Sequence, residues 1–247
     1  MDRGLYVAMT GAKQIMLAQA VNNHNIANVN TVGFRADSVS FYSQPIYGAG
    51  YPTRVNAVAG DSGTDFSSGV MQSTGRPLDV AINGKGYIAV LGQDGTEGYT
   101  RAGDLRVGVD GSVTTAAGQP VLTESGPLNI PPSTSVTVGN DGTVSVLAQG
   151  LTPSGISPTD RIKLVNPPEK DLQKGSDGLL RMKDGSKAET DPNVTLTSGV
   201  LESSNVNAAQ SLINMIELQR LYEFQVKSMN STDQNEQTAE QLMSNAA

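Results

Sequence analysis

Three short stretches carry residue types that could do chemistry. Gly84-Lys85-Gly86-Tyr87-Ile88-Ala89 fits the loose dinucleotide pattern G-x-G-x-x-A. Such a loop cradles pyrophosphate only when a helix follows and aims its N–H groups at the phosphates. Here Tyr87–Leu91 reads as strand and Asn83-Gly84 as hairpin chemistry, so a β-turn is the stronger reading. Asp-Gly occurs at 94–95, 110–111, 141–142, 177–178 and 184–185. A calcium loop of the EF-hand type needs acids at alternate positions before its glycine and a glutamate after it. Neither that spacing nor a glycine-rich nonapeptide repeat is present, and turns account for the pairs better. His24 is the only histidine, so any Ser-His-Asp triad or histidine metal site would have to use it. It lies among Asn22, Asn23, Asn25 and Asn28 with no acid nearby in sequence, which favours a solvated or interface histidine. No local spacing points to a carboxylate pair. The sequons at Asn193 and Asn230 carry no weight, the second lying inside a predicted helix. The chain is therefore expected to be no enzyme, with no catalytic, cofactor-binding or metal-ligating residues and no cofactor.

Composition narrows the remaining classes. The 247 residues hold 37% hydrophobic and 4% aromatic side chains, too few aromatics for one large aromatic-filled core. A net charge of −7 without a Lys/Arg cluster makes a poor binder of nucleic acid or anionic membranes. With no cysteine, disulfides and thiolate metal sites are excluded. No run of about eighteen apolar residues exists to span a membrane. The start lacks an uninterrupted apolar segment and a cleavage pattern, so the expectation is a cytoplasmic chain or one exported without a cleaved signal.

The elements that must position any site differ sharply along the chain. Residues 1–30 carry three charges and no proline, and residues 208–243 lack both proline and glycine. Leu5, Ala8, Ala12, Ile15, Gln19, Asn22 and Ile26 alternate three- and four-residue spacing, a heptad seam on a helix that Thr31-Val32-Gly33 ends. Leu212, Met215, Gln219, Tyr222, Val226, Met229 and Asp233 repeat that spacing near the other end. Asn207 is placed to cap this second helix, with Gln210 reaching back in a variant capping box. Between the helices the period switches to two: Leu78, Val80 and Ile82 face one way, Asp79 and Ala81 the other. Val136, Val138, Val144 and Val146 flank Gly139-Asn140-Asp141-Gly142 as a hairpin. The expected fold is α+β. An N-terminal helix (1–33) and a C-terminal helix (207–247) pair as a coiled-coil-like layer. Residues 34–76, with Gly48, Gly50, Gly60, Gly63 and Gly69, form an extended connector. A central antiparallel all-β domain spans 77–190, and 191–206 form a return connector.

Asn25-Ile26-Ala27-Asn28-Val29-Asn30-Thr31-Val32-Gly33-Phe34-Arg35 resembles the N-terminal signature of flagellar rod and hook proteins. Ser204-Asn205-Val206-Asn207 and Gln219-Arg220-Leu221-Tyr222-Glu223 resemble their C-terminal signature. Arg76–Ile82 and Glu97–Gly103 are similar to the proximal-rod members in particular. The resemblance covers essentially the whole chain. It implies a structural subunit of the basal-body rod, exported by the flagellar type III apparatus and assembled in the periplasm into a hollow shaft that carries torque. Its partners would be copies of itself, other proximal rod proteins and the distal rod protein FlgG. No nucleic acid and no direct membrane span are expected. Both seams would then be assembly surface, together with Asn28, Gly33, Phe34, Asn205 and Val206. The alternatives are FlgG itself or another rod or hook subunit, and more remotely a β-class cell-wall enzyme.

Overall fold

A computed structural model of the chain describes residues 4–47, 55–131, 133–148 and 156–245. Gly48 and Gly50 of the expected connector lie outside the described residues. The chain divides into two compact units. The first comprises residues 1–28, 36–65 and 206–247; the second comprises 29–35 and 66–205.

The first unit holds two helices and one hairpin. Helix α1 spans Gly4–Ala27 and α2 spans Ala208–Asn245. At the end of α1 the His24 carbonyl accepts both the Asn28 N–H at 3.2 Å and the Asn28 side-chain amide at 2.9 Å. At the start of α2 the Asn207 side-chain oxygen accepts the Gln210 N–H at 3.1 Å, the N-cap expected from sequence. The reciprocal half of the expected capping box is absent. The Gln210 amide instead runs along the helix to Asn214 Oδ1 at 3.0 Å, an i,i+4 pair. Asn22 Nδ2 donates to the Ser211 carbonyl at 2.8 Å, and a Cβ on Gly11 would lie 3.2 Å from Gln225 Cδ. Rising numbers on one helix meet falling numbers on the other, so the helices run antiparallel.

Residues 34–76 are not one connector. Strands β1 (Asp37–Pro45) and β2 (Val55–Thr64) form an antiparallel hairpin of the first unit, with a bulge between Val39 and Phe41. Residues 66–76 belong to the other unit. Glycine inside a strand usually weakens it, yet a Cβ at Gly60 or Gly63 would come within 2.7 Å of Ser40 Oγ or Ser38 Oγ. The facing serines fill the space that a side chain would need.

The second unit contains the remaining strands: β3 Met71–Ser73, β4 Val80–Asn83, β5 Tyr87–Leu91, β6 Glu97–Thr100, β7 Leu105–Val107, β8 Val113–Thr115, β9 Ser133–Val138, β10 Thr143–Ala148, β11 Ile156–Arg161, β12 Leu164–Val165, β13 Leu172–Lys174, β14 Leu180–Met182, β15 Thr195–Ser198 and β16 Val200–Glu202. A five-stranded sheet runs β12-β5-β6-β14-β13, a three-stranded one β11-β10-β9, and β15-β4, β16-β3 and β7-β8 pair separately. Every strand pair among the described residues is antiparallel. The expected hairpin is present, with Val138 opposite Val144 and Val136 opposite Val146.

Alternation resolves here as two apolar clusters rather than an inside and an outside. Ile88 and Val90 of β5 enter one cluster with Val80, Ile82 and Leu164. Tyr87 and Ala89 enter a second with Tyr99, Val165 and Leu180. Asp79 and Ala81, expected on an opposite face, are buried as well. Residues 191–205 of the expected return connector 191–206 are also part of this unit: β15 pairs with β4, β16 pairs with β3, and Leu196 is buried.

The Asp-Gly pairs form turns. In four of them the sequence is G-x-D-G: the last glycine's N–H bonds the first glycine's carbonyl, and the hairpin closes on the next residue (Gly92/Thr96, Gly108/Ser112, Gly139/Thr143, Gly175/Leu179). The glycine after each Asp has φ between 72° and 85°, the left-handed region that such a bulged turn demands. Each aspartate accepts hydrogen bonds two residues on. The hydroxyl and then the amide of Thr96, Ser112 and Thr143 hold Asp94, Asp110 and Asp141 below the usual carboxylate pKa. The Arg181 guanidinium does so for Asp177, and the Ser186 amide and hydroxyl for Asp184. The loop at Gly84–Gly86 is likewise a turn, and the strand β5 follows it where a dinucleotide loop would need a helix.

Candidate functional site

Among the described residues no group of three or more His, Asp or Glu side chains could hold a metal ion. The candidate surface is instead apolar and lies on the first unit. Along α1 the seam positions are its least exposed: Ala8, Ala12 and Asn22 are buried, and Leu5, Ile15, Gln19 and Ile26 are half-buried. The larger side chains point away, with Tyr6 65% and Met16 57% exposed.

On α2 the covered face differs from the expected seam. Met215, Tyr222, Val226 and Met229 are half-buried as placed, but the covered position lies one residue earlier than Leu212, Gln219 and Asp233. Ser211 is buried and Leu218, Gln225 and Thr232 are half-buried, whereas Leu212, Gln219 and Asp233 are exposed. A pattern reading assigns apolar residues to the inside. Here small and amide side chains take the inside because Asn22 meets the backbone at Ser211 and Gly11 meets Gln225. The outer face of α2 is consequently rich in large apolar groups: Leu212, Ile213, Ile216, Leu221 and Phe224 are all at least half exposed. These groups stand among the exposed charges Glu217, Arg220 and Glu223, and large apolar side chains left exposed along one helix point to an interaction surface; no described helix is long and apolar enough to cross a membrane.

The polar stretch around His24 has a defined job. His24, with no acid near it in sequence, has its Nδ1 2.7 Å from Oδ2 of Asp37, 13 residues further on. Asn25 clamps the same residue through its backbone, donating to the Asp37 carbonyl at 2.7 Å and accepting its N–H at 2.8 Å. The amide thus mimics a strand partner at the root of β1.

The other motif residues converge within the second unit on one carboxylate that the sequence reading missed. Glu202 is fully buried between two buried arginines. Arg101 Nη1 donates to its Oε2 at 2.9 Å. Arg35 Nη2 stands 2.8 Å from Oε1, an ion pair bent too far to count as a hydrogen bond. The Gly69 N–H donates to Oε1 at 2.9 Å, and the Glu202 carbonyl accepts the Gly33 N–H at 2.8 Å. One further nitrogen of each guanidinium reaches backbone, Arg101 Nη2 to the Gly84 carbonyl at 2.6 Å and Arg35 Nη1 to the Ser67 carbonyl, while both Nε atoms are buried without a hydrogen-bond partner. Phe34 lies under Lys174, whose Nζ is 4.0 Å from the ring centre and donates to the Arg35 carbonyl at 2.8 Å. Asn205 donates its side-chain amide to the Ser67 carbonyl and its N–H to that of Phe34. Gly33, Phe34 and Asn205 are therefore built into this knot, while Val206, half-buried, opens the helical unit. A signal was available in sequence: Glu202 is the only charged residue between Asp191 and Glu217, and no Lys, Arg, Asp or Glu lies between Lys13 and Arg35. Lone charges in long neutral stretches have to find each other.

Comparison with known proteins gives the class. Residues 81–146 match the family described as flagellar hook protein FlgE/F/G D1 domain, and residues 197–242 match flagellar basal body rod FlgEFG protein C-terminal. The chain belongs to the flagellar basal-body rod protein family. Within that family it is FlgF-like: it is 39% identical to the flagellar basal-body rod protein FlgF of Salmonella typhimurium and 40% identical to that of Escherichia coli, each over 99% of both chains. The rod protein FlgG of Buchnera aphidicola (Schizaphis graminum) is 33% identical over 96% of this chain and 98% of its own. That alignment runs to 262 positions, more than the 247 residues available, so FlgG carries insertions relative to this chain. The protein is a structural, non-enzymatic subunit of the flagellar basal body.

Proposed function

We propose that this subunit occupies the proximal rod, in the periplasm, and is delivered there by the flagellar type III apparatus. Its neighbours in that reading are copies of itself, other proximal rod proteins and FlgG. The single observation that carries it is the outward apolar face of α2 beside the small-residue seam of α1. The helix pair buries few large side chains of its own, and isolated helices gain most of their stability from packing. Copies contacting head to tail, without closing, build a helical tube. The terminal helices pair as a coiled-coil-like layer within that tube. The exposed Phe41 and Tyr42 of the β1–β2 hairpin add lateral contacts. Leu5, Ala8, Ala12, Ile15, Met215, Tyr222 and Met229 are the interface residues of the layer, and Leu212, Gln219 and Val226 face neighbouring subunits. The distal position is the second reading, supported by the likeness to FlgG.

The test is imaging of isolated basal bodies at side-chain resolution from cells whose only FlgF-type protein is this chain. Density for this sequence in the proximal rod is expected. Density only beyond it, or smooth swimming of cells lacking the chain, overturns the proposal.

A further inference from the structure

Glu202 has a place in the topology that its burial alone does not convey. The chain passes from one unit to the other after residues 28, 35, 65 and 205. Each of these passages is followed or preceded, within the second unit, by a segment tied to the same knot. The segment 29–35 is held by Gly33 N–H on the Glu202 carbonyl and by Arg35 on its carboxylate. The segment that begins at Phe66 is held by Ser67, which accepts from Arg35 and Asn205, and by Gly69 N–H on Glu202 Oε1. The segment that ends at Asn205 carries Glu202 itself. Arg101, hydrogen-bonded to the Gly84 carbonyl in the β4–β5 turn, anchors the knot in the sheet region.

We infer that the Arg35–Glu202–Arg101 knot is a mechanical latch that binds all the chain passages of the β unit to one another, so that load arriving along any one of them is shared by the others. The inference rests on the rod reading for its physiological meaning, but its geometry does not. A buried ion pair contributes little net stability compared with well-packed apolar groups, whereas removing one partner leaves uncompensated charge. Its use here is geometric: one carboxylate meets one nitrogen of each guanidinium, and a second nitrogen of each reaches a backbone carbonyl, so several backbone segments are held in one register. The glycines around it leave no room for slack. A Cβ on Gly33 would overlap the backbone of Arg101, and one on Gly69 would overlap the Ser203 carbonyl.

The latch is tested on the full-length chain with Glu202→Gln, which keeps shape and removes charge, and with Arg101→Lys. Amide hydrogen exchange is read at Gly33 and Gly69, whose N–H groups end on Glu202, and at Ile88 and Val90 in the β5 core. Loss of protection by roughly tenfold or more at the two glycines, with the core unchanged, is the expected result for Glu202→Gln. Arg101→Lys moves the same amides by less. Unchanged glycines overturn the latch, and so does equal loss at Ile88 and Val90, because the knot would then be ordinary core. In cells lacking their own FlgF-type protein, the Glu202→Gln chain should support swimming in dilute medium and fail as viscosity rises. Swimming equal to the unaltered chain at both viscosities, or equally impaired at both, overturns the load-sharing role. Failure of the unaltered chain to restore motility would instead count against the rod reading.

Discussion

The two units bury opposite kinds of residue. The β unit packs Val80, Ile82, Ile88, Val90, Ile162 and Leu164 at essentially zero exposure. The helical unit buries Ala8, Ala12, Asn22 and Ser211, and leaves Tyr6, Met16, Ile216 and Phe224 more than half exposed. Burial of apolar area is what stabilises a fold against chain entropy. One unit is thus complete by itself, while the other keeps its largest apolar side chains for surfaces outside the chain. On the proposed rod reading this division gives a subunit a stable body and ends whose cohesion would rise when neighbours arrive.

The largest effect on folding is expected in the β unit. Leu164→Ala, at a fully buried position, should cost about 2–5 kcal/mol through lost burial and the cavity it leaves. A urea titration of the purified chain reads this as a lower midpoint of the β unit's transition. A change smaller than that of an exposed position such as Gln241→Asp would break the contrast drawn between the units.

A smaller effect is expected at the helix seam. Ala12→Leu puts three extra carbons where α1 is closed over, and overpacking of this kind costs about 1–3 kcal/mol. The helical far-UV signal should weaken at lower denaturant while the β unit's transition stays in place. If both shift together, the two units are not independent in stability.

Acid sharpens the comparison further. Asp94, Asp110, Asp141, Asp177 and Asp184 all lie in turns of the β unit and all have pKa values below the ordinary 3.8. A carboxylate whose folded pKa is depressed contributes stability that is present above its unfolded pKa. That contribution fades as pH falls through the folded value, so the window opens near roughly pH 4 and extends downward. Asp104 acts in the opposite sense, because burial raises its pKa and its protonation on acidification favours the fold. Asp191, held low by the Asn193 amide, joins the five, and with six against one the urea midpoint of the β unit should fall below about pH 4. Asp141→Asn should make that fall shallower, since the amide cannot gain a proton. A midpoint that rises on acidification would show the turn aspartates to be bystanders.

What could be read from sequence follows the range of the forces involved. The Asn207 cap, the Val136–Val146 hairpin and the Asp-Gly turns are decided by residues within a few positions of one another, and they stand where the pattern placed them. The two-faced burial of Asp79 and Ala81 was not legible, because alternation gives a side and not what covers it. The register of α2 was misjudged by one residue at Leu212 and Gln219, since the rule that apolar residues face inward fails when the outward face awaits another subunit. Residues 34–76 read as extended chain with short strands, but the hairpin of β1 with β2 sets Gly60 and Gly63 against Ser40 and Ser38, some twenty residues away, which no local pattern announces. Glu202 needed charges from residues 35 and 101, and no local pattern announces such a meeting.

The sharpest test combines the smallest effect on folding with the largest on assembly. Phe224 is 67% exposed on the outer face of α2, where it covers nothing in its own chain that a folding measurement would miss. Phe224→Ser should therefore change the stability of the free subunit by no more than about 0.5 kcal/mol, the usual range for a surface position. A rod neighbour seated on that face would bury the ring, and aromatic side chains dominate interface energies once water is excluded. Cells carrying the substitution should make and export the subunit at normal levels, yet lose rods and motility. The position beside it supplies the control: Glu223, exposed and charged, should tolerate Gln without loss of swimming. If Phe224→Ser cells build rods and swim, the apolar face of α2 is not where subunits meet, and the incompleteness of the helical unit needs a different explanation. If instead the free subunit is strongly destabilised, the ring serves its own fold, and the contrast between a self-sufficient β unit and a helical unit completed by its neighbours fails at its most exposed residue.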